Sequence, residues 1–319
     1  MSLGGGPSFY RSPHRVERFI AVKKKLGALL AILPIAVALS ACGNGGTPSG
    51  PETKDGKTIV KIAITKEQDV NKVLKEEAAK QDIDVEYKEL NNYTEANPQL
   101  TQGAVDLNWF QHISYLANYN VDNDDDLQIV GPTAIFPMGL YSKNHKSVDE
   151  IPQGGKIAIP NDAVNEARAI NLLKAAHLLK LKDDSVIQPS EKDIDKDNSK
   201  VEVTAVEANQ TVTSMASVDG SVVNNDFLDD AGLDPKNALY QDDPSQESAL
   251  PYVNVFVAQK GQEDNETYKK LIDIYRSKPV QEAQQRSSKN TAVVVDTDVQ
   301  KLRDTQKKLE DEDKKNEDK

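Results

Sequence analysis

The chain is 319 residues long, with 39 Lys+Arg against 51 Asp+Glu, a formal net charge of −12, and aromatic residues at only 5%. That length provides roughly two structural units and ample material for a core. So acidic a chain lacks the basic face that nucleic acid demands, and its protein surface is unsuited to anionic lipid.

The first 41 residues differ in kind from the rest. Arg11, Arg15, Arg18, Lys23, Lys24 and Lys25 make a basic region, and fifteen uncharged residues follow, 26–40 (LGALLAILPIAVALS). A run of that length with Pro34 inside it is short for a membrane span, which needs ~20 apolar residues, and fits the apolar part of a signal peptide. Leu39-Ser40-Ala41-Cys42 resembles a bacterial lipobox, in which the cysteine takes lipid and becomes the mature N-terminus. Cys42 is the only cysteine, so an internal disulfide is impossible. Residues 1–41 are therefore expected to be a lipoprotein signal peptide. Its removal takes away six basic residues and Glu17, leaving 33 Lys+Arg, 50 Asp+Glu and a net of −17. The expected product is an acidic protein held outside the cytoplasm, at the cell membrane, by lipid on Cys42. Two or more acyl chains are needed for stable anchoring.

Residues 42–57 comprise Cys42 and a Gly-, Pro-, Ser- and Thr-rich segment that reads as a flexible tether. Residues 58–64 (TIVKIAI) are β-branched and apolar, a buried strand; Val70, Val73, Leu74 and Ala78 then share one helical face, and 83–87 alternate as a second strand. This β-α-β opening is the signature of a parallel sheet. Residues 105–119 (VDLNWFQHISYLANY) concentrate Trp109, Phe110, Tyr115 and Tyr119 around Asn108, Gln111 and His112. Flat apolar walls with a few polar groups suit a pocket for a small amphipathic molecule; an aromatic core helix is the equally weighted alternative.

Short strands are expected at 127–130 and 140–142, joined by the Gly/Pro-punctuated 131–139, and another at 156–159. Pro160-Asn161-Asp162 leads into a helix with Ala169, Leu172, Leu173 and Ala176 on one face. Strands follow at 201–205, 221–223 and 252–258, then a helix at 267–277. The alternation restarts near residue 140 and returns near 250. The expected architecture is α/β in two lobes, with lobe II (140–249) inserted into lobe I (58–139 and 250–299). The tail, 300–319, has seven basic and seven acidic residues and two leucines, and reads as a solvated helix or as disorder.

Arg168 is the sharpest charge. Asn161 or Asp162 caps its helix, placing Asn165 and Arg168 on one face in the first turns, where an arginine fork faces the anion-favouring helix start. A surface salt bridge with Glu166 is the alternative. Asn224 falls at a strand's C-terminal end, where open α/β sheets bind ligands, although Asn also simply forms turns. Asn254 is polar within a valine-rich strand. No metal site is expected: His112, His145 and His177 lack ligand-like spacing, and Asp122 to Asp126 read as a solvated acidic loop. No catalytic residues are expected either, for G-x-S-x-G, P-loop and H-E-x-x-H motifs are all missing.

From about Ile62 to Ala258 the chain resembles the NlpA-type substrate-binding lipoproteins, the MetQ-type methionine-binding subunits of methionine ABC importers. The likeness is carried by Lys66-Glu67-Gln68, Asn91-Asn92-Tyr93, 106–116 (DLNWFQHISYL), Phe136-Pro137, Tyr141-Ser142-Lys143, 158–168 (AIPNDAVNEAR), Val222-Val223-Asn224 and Pro251-Tyr252-Val253-Asn254. The resemblance implies a type II periplasmic-binding-protein fold with a ligand cleft between two lobes. Arg168 would clamp the ligand carboxylate, and Asn165 and Asn224 would bond its polar end. Tyr93, Phe110, His112 and Tyr115 would line the side-chain slot, with Phe136 where many relatives carry Tyr. Trp109, Ala163 and Val164 also depart from the commoner residues. The implied function is capture of L-methionine or a close analogue by a monomer that needs no cofactor. Hinge closure would deliver the ligand to an ABC permease with its ATPase. Another amino acid or a methionine-containing dipeptide is the nearest alternative, and a lipid-anchored enzyme or adhesion protein the remoter one.

Overall fold

The computed structural model describes residues 50–317, so the signal-peptide and Cys42 expectations lie outside the described residues. In chain order the regular elements are β1 (Glu52–Lys54), β2 (Lys57–Ile64), α1 (Asp69–Ala79), β3 (Ile83–Glu89), α2 (Ala96–Thr101), β4 (Leu107–Asn108), α3 (Ile113–Asn123), β5 (Gln128–Pro132), β6 (Ala134–Ile135), β7 (Gly139–Tyr141), β8 (Gly155–Pro160), α4 (Ala163–Ala175), β9 (Val201–Val206), α5 (Thr211–Ser214), β10 (Gly220–Val223), β11 (Tyr240–Gln241), β12 (Val255–Ala258), α6 (Glu266–Tyr275), α7 (Lys278–Ser287), β13 (Val293–Val294) and α8 (Val299–Glu317).

They build two large sheets and one two-stranded ribbon. The first runs β1-β2-β4-β12-β5, with β3 on the other side of β2; β2 is parallel to β3 and β4, while β12 is antiparallel to β4 and β5. The second runs β11-β7-β10-β8-β9, with β8 parallel to its neighbours β9 and β10. The chain crosses from the first sheet to the second between β5 and β7, and returns between β11 and β12. On the first crossing, β6 pairs with β13.

Each sheet buries an apolar layer. Trp109, Phe256, Tyr268 and Tyr275 pack with Leu74 and Leu271 under α1, α6 and α7. Ile157, Ile159, Ile170 and Leu173 form the corresponding layer under α4. A third cluster joins Phe110, Leu116 and Val255 of the first sheet's side to Val223 and Phe227 of the second's. At ~1.5–3 kcal/mol per fully buried large apolar side chain, these layers supply the main cohesion.

Three expectations change. The tether reading extended to residue 57, but Glu52–Lys54 pair with β2 through a two-residue turn, with Asp55 at φ 52° and Gly56 at φ 81°. Positive φ at both positions is the Asp-Gly hairpin geometry that matches strand twist. Residues 105–119 are not one core helix but a strand, a turn and a helix, β4 to α3. The tail is a docked helix: Leu302 and Gln306 are buried, and Arg303 Nε donates to the Ile129 carbonyl at 2.9 Å. Leu302, Gln306, Leu309 and Asp313 recur at helical spacing, a narrow stripe that its charge-rich surroundings hide.

Candidate functional site

The turn between β4 and α3 is fixed from beneath by amides. Asn97, Asn108 and Gln111 are all buried, and Asn97 Nδ2 donates to Gln111 Oε1 at 2.9 Å. Asn97 Oδ1 accepts from Asn108 Nδ2 at 2.8 Å and Gln111 Nε2 at 2.6 Å, so the donors and acceptors of the three side chains largely satisfy one another. Phe110 and His112 emerge from this turn. Trp109 points the other way, into the core, with ring centroids 4.7 Å from Phe256 and 5.5 Å from Tyr275. Trp109 is thus a core residue and does not face the slot. Phe110, Tyr93 and Tyr115 form a mutual trio, with centroids 5.5 to 6.0 Å apart, the tilted and edge-on arrangements that aromatic quadrupoles favour.

His112 starts α3. Its Nδ1 accepts from the Tyr115 backbone N–H at 3.1 Å, which assigns the proton to Nε2, facing Asn165 Oδ1 at 3.4 Å. Burial, with Arg168 adding to it, pushes the imidazole down to about 3, so it is neutral, as the cap requires. From the second sheet's side, α4 begins at Asp162, whose Oδ1 accepts from the Asn165 backbone at 2.9 Å and thereby makes Asp162 the cap. Asn165 Nδ2 also donates to Asp162, and its Oδ1 accepts from Asn224 Nδ2 at 3.0 Å. Asn224 Oδ1 is buried without a hydrogen-bond partner. A buried acceptor left bare costs about 1–3 kcal/mol, so this atom calls for a donor.

Arg168 is 7% exposed. Its Nε donates to Asp242 Oδ2 at 2.7 Å and its Nη2 to the Phe136 carbonyl at 2.9 Å, while the guanidinium lies 4.2 Å from the Tyr252 ring centroid. Asp242 in turn accepts from the Met138 backbone N–H at 2.8 Å. Glu166, the partner in the alternative reading of Arg168 as a surface salt bridge, instead accepts from the Glu191 backbone. Arg168 is therefore held on one edge by residues of both crossings and is a poor candidate for a mobile surface charge.

These side chains surround one narrow slot between the two sheets. About 420 Å³ lies between its walls, but the centre of a water molecule has only about 30 Å³ to move in. All eight sequence-predicted residues line it: Tyr93, Phe110, His112, Tyr115, Phe136, Asn165, Arg168 and Asn224. So does Asn254, paired with His112 in an isolated bridge. Sequence reading missed Met138 and Asp226; neither stands in a motif, and only the tertiary fold delivers them. The slot has a fixed cation at one end, unpaired amide oxygen beside it and aromatic walls beyond. That arrangement binds a small zwitterion with a slender apolar side chain. Among the described residues no group of three or more His, Cys, Asp or Glu is placed to hold a metal ion.

Two α/β lobes joined by two crossings, with a polar and aromatic slot between them, define a type II periplasmic binding protein. The chain belongs to the NlpA lipoprotein family, which it matches over residues 60–295. It is 33% identical over 269 residues to the D-methionine-binding lipoprotein MetQ of Escherichia coli K12, covering 83% of this chain and 95% of the relative. The substrate-binding protein of a methionine transporter from Streptococcus pneumoniae superposes with a TM-score of 0.69 at 33% identity, over 74% of this chain and 95% of that one. A nutrient-binding protein from Burkholderia cenocepacia, solved bound to methionine, gives 0.69 at 30% identity, over 74% and 99%.

Proposed function

We propose that this protein captures methionine outside the cytoplasm and hands it to an ABC permease with its ATPase, catalysing no reaction. It acts as a monomer anchored to the membrane by lipid on Cys42. The observation that carries the reading is the convergence on one slot of Arg168, the bare Asn224 oxygen and the Tyr93-Phe110-Tyr115 walls, from elements far apart in the chain. Arg168 clamps the carboxylate with the edge that Asp242 leaves open, Asn224 Oδ1 accepts from the ammonium, and the aromatic trio and His112 surround the thioether. An unbranched, polarizable chain suits so narrow a slot. The lobes, 58–139 with 250–299 and 140–249, hinge at the two crossings and close over the ligand. The names of the relatives support the ligand class.

A methionine-containing dipeptide is the second reading. It is favoured by a wider groove, with about 1280 Å³ between its walls against about 420 Å³ in the slot, lined by Lys66, Lys143 and Asp230, that meets the slot at Asp226. Calorimetry on protein unfolded and refolded to strip bound ligand tests both. One-to-one binding of L- or D-methionine supports the first reading. Binding of a methionyl dipeptide alone selects the second, and silence towards all of them ends both.

A further inference from the structure

Asp226 is the one carboxylate lining the slot, and the family likeness gives it no role. It sits on the short turn Asn225–Phe227 after β10, in the second lobe, and its Oδ2 accepts from the hydroxyl of Tyr93, in the first lobe, at 2.9 Å. The same stretch makes further bridges. Asp229 pairs with Lys289 at 3.5 Å, Asp230 pairs with Lys66, and nearby Asn209 donates to the Asn91 carbonyl at 3.0 Å. All four contacts join the lobes, so this structure has the cleft shut. The other charged or titratable groups facing Asp226 are His112 and Arg168 across the slot, Glu89 and Lys143 in the adjoining groove, and Asp162 and Tyr115 near Tyr93.

Resting on the capture reading above, we propose that Asp226 is a positioning residue of closure: it holds the Tyr93 phenol in the slot wall from the opposite lobe and makes capture responsive to acid.

The sign follows from enclosure. With the lobes apart, the Asp226 carboxyl meets water and titrates in the ordinary range near 3.8; shut, burial pushes it up to about 6, the Tyr93 hydrogen bond offsetting part of that. The closed form binds the proton more tightly, so acidification through pH 6 favours closure through Asp226. His112 acts in the opposite sense. Its ordinary value of 6.5 falls to about 3 when enclosed, so closure expels its proton and acidification disfavours it. At pH 5 the His112 linkage weakens binding about 30-fold and Asp226 returns about tenfold, leaving about threefold.

The test is the dissociation constant for L-methionine from pH 7.5 to 5.0 in wild type, Asp226→Asn and Tyr93→Phe. Wild type is expected to weaken about threefold and Asp226→Asn about 30-fold over that range. Asn keeps an acceptor for Tyr93 without a charge to bury, so at pH 7.5 the variant binds at least as tightly as wild type. Tyr93→Phe, which lacks the donor, binds more weakly at pH 7.5 and, with the bond that held the enclosed carboxyl down removed, loses less affinity than wild type on acidification. Calorimetry in two buffers at pH 6 should show wild type releasing about half a proton fewer per ligand than Asp226→Asn. Parallel profiles for wild type and Asp226→Asn overturn the proposal. So does a tenfold loss at pH 7.5 in Asp226→Asn, which would make Asp226 a direct partner of the ligand ammonium. Failure of wild type to bind at all would instead overturn the capture reading itself.

Discussion

Arg168 shows why residue identity and residue role separate so sharply here. The sequence places it in the first turns of a helix, and local reading offers Glu166 as its partner. The fold supplies Asp242 instead, 74 positions away, and turns the guanidinium edge-on to the slot. No local pattern announces that contact, because Asp242 belongs to the returning crossing. The rigid anchorage predicts that charge alone will not suffice. Arg168→Lys should lose about 2–3 kcal/mol of binding, a 30- to 150-fold weaker methionine affinity by calorimetry, because an ammonium cannot serve Asp242, the Phe136 carbonyl and a carboxylate in one plane. His112 is the second case. It is lowered when enclosed, so closure favours high pH and weakens as pH falls below 6.5. His112→Asn keeps a residue suited to starting α3 and should remove that acid weakening from the affinity profile.

At the level of elements, patterns of period two and 3.6 were readable wherever one face is apolar. The strand at Lys57–Ile64, the helix at Asp69–Ala79 and the Asp162-capped helix at Ala163–Ala175 fall close to where the pattern puts them. What escaped was structure maintained by polar groups. The β4–α3 turn rests on the Asn97-Asn108-Gln111 amides, and a single sequence does not reveal which buried amides meet. Asn97→Ala strands two partners and should cost ~2–4 kcal/mol in denaturant unfolding, with weaker ligand binding because the Phe110 and His112 turn loosens. The last helix escaped for the opposite reason: its charges mask the stripe that docks it. Leu302 is fully buried, so Leu302→Ala should destabilise by ~2–5 kcal/mol, whereas a solvated tail would register no change. The Asp55-Gly56 hairpin, by contrast, was announced by its dipeptide and lost only because the surrounding segment reads as a tether.

At the level of the whole molecule, the restart of the α/β alternation near residue 140 and its return near 250 foreshadow two sheets, and β7 and β12 stand close to those points. The slot was legible only as a set of residue types and family positions. Its narrowness, the bare Asn224 oxygen and the place of Asp226 come from the two lobes meeting, which no stretch of sequence contains. The cross-cleft ion pairs also set an expectation for the molecule as a unit. Lys66–Asp230 and Lys289–Asp229 are exposed, so raising the salt concentration should screen them and shift the empty protein towards the open form, measured as a larger radius of gyration by X-ray scattering. The most direct test of methionine capture is a crystal structure of the stripped protein with L-selenomethionine, phased on the ligand's selenium. The account predicts one selenium peak among Phe110, Tyr115 and His112, with the carboxylate on Arg168. A peak outside the slot, a reversed ligand, or no peak in fully diffracting crystals would contradict it.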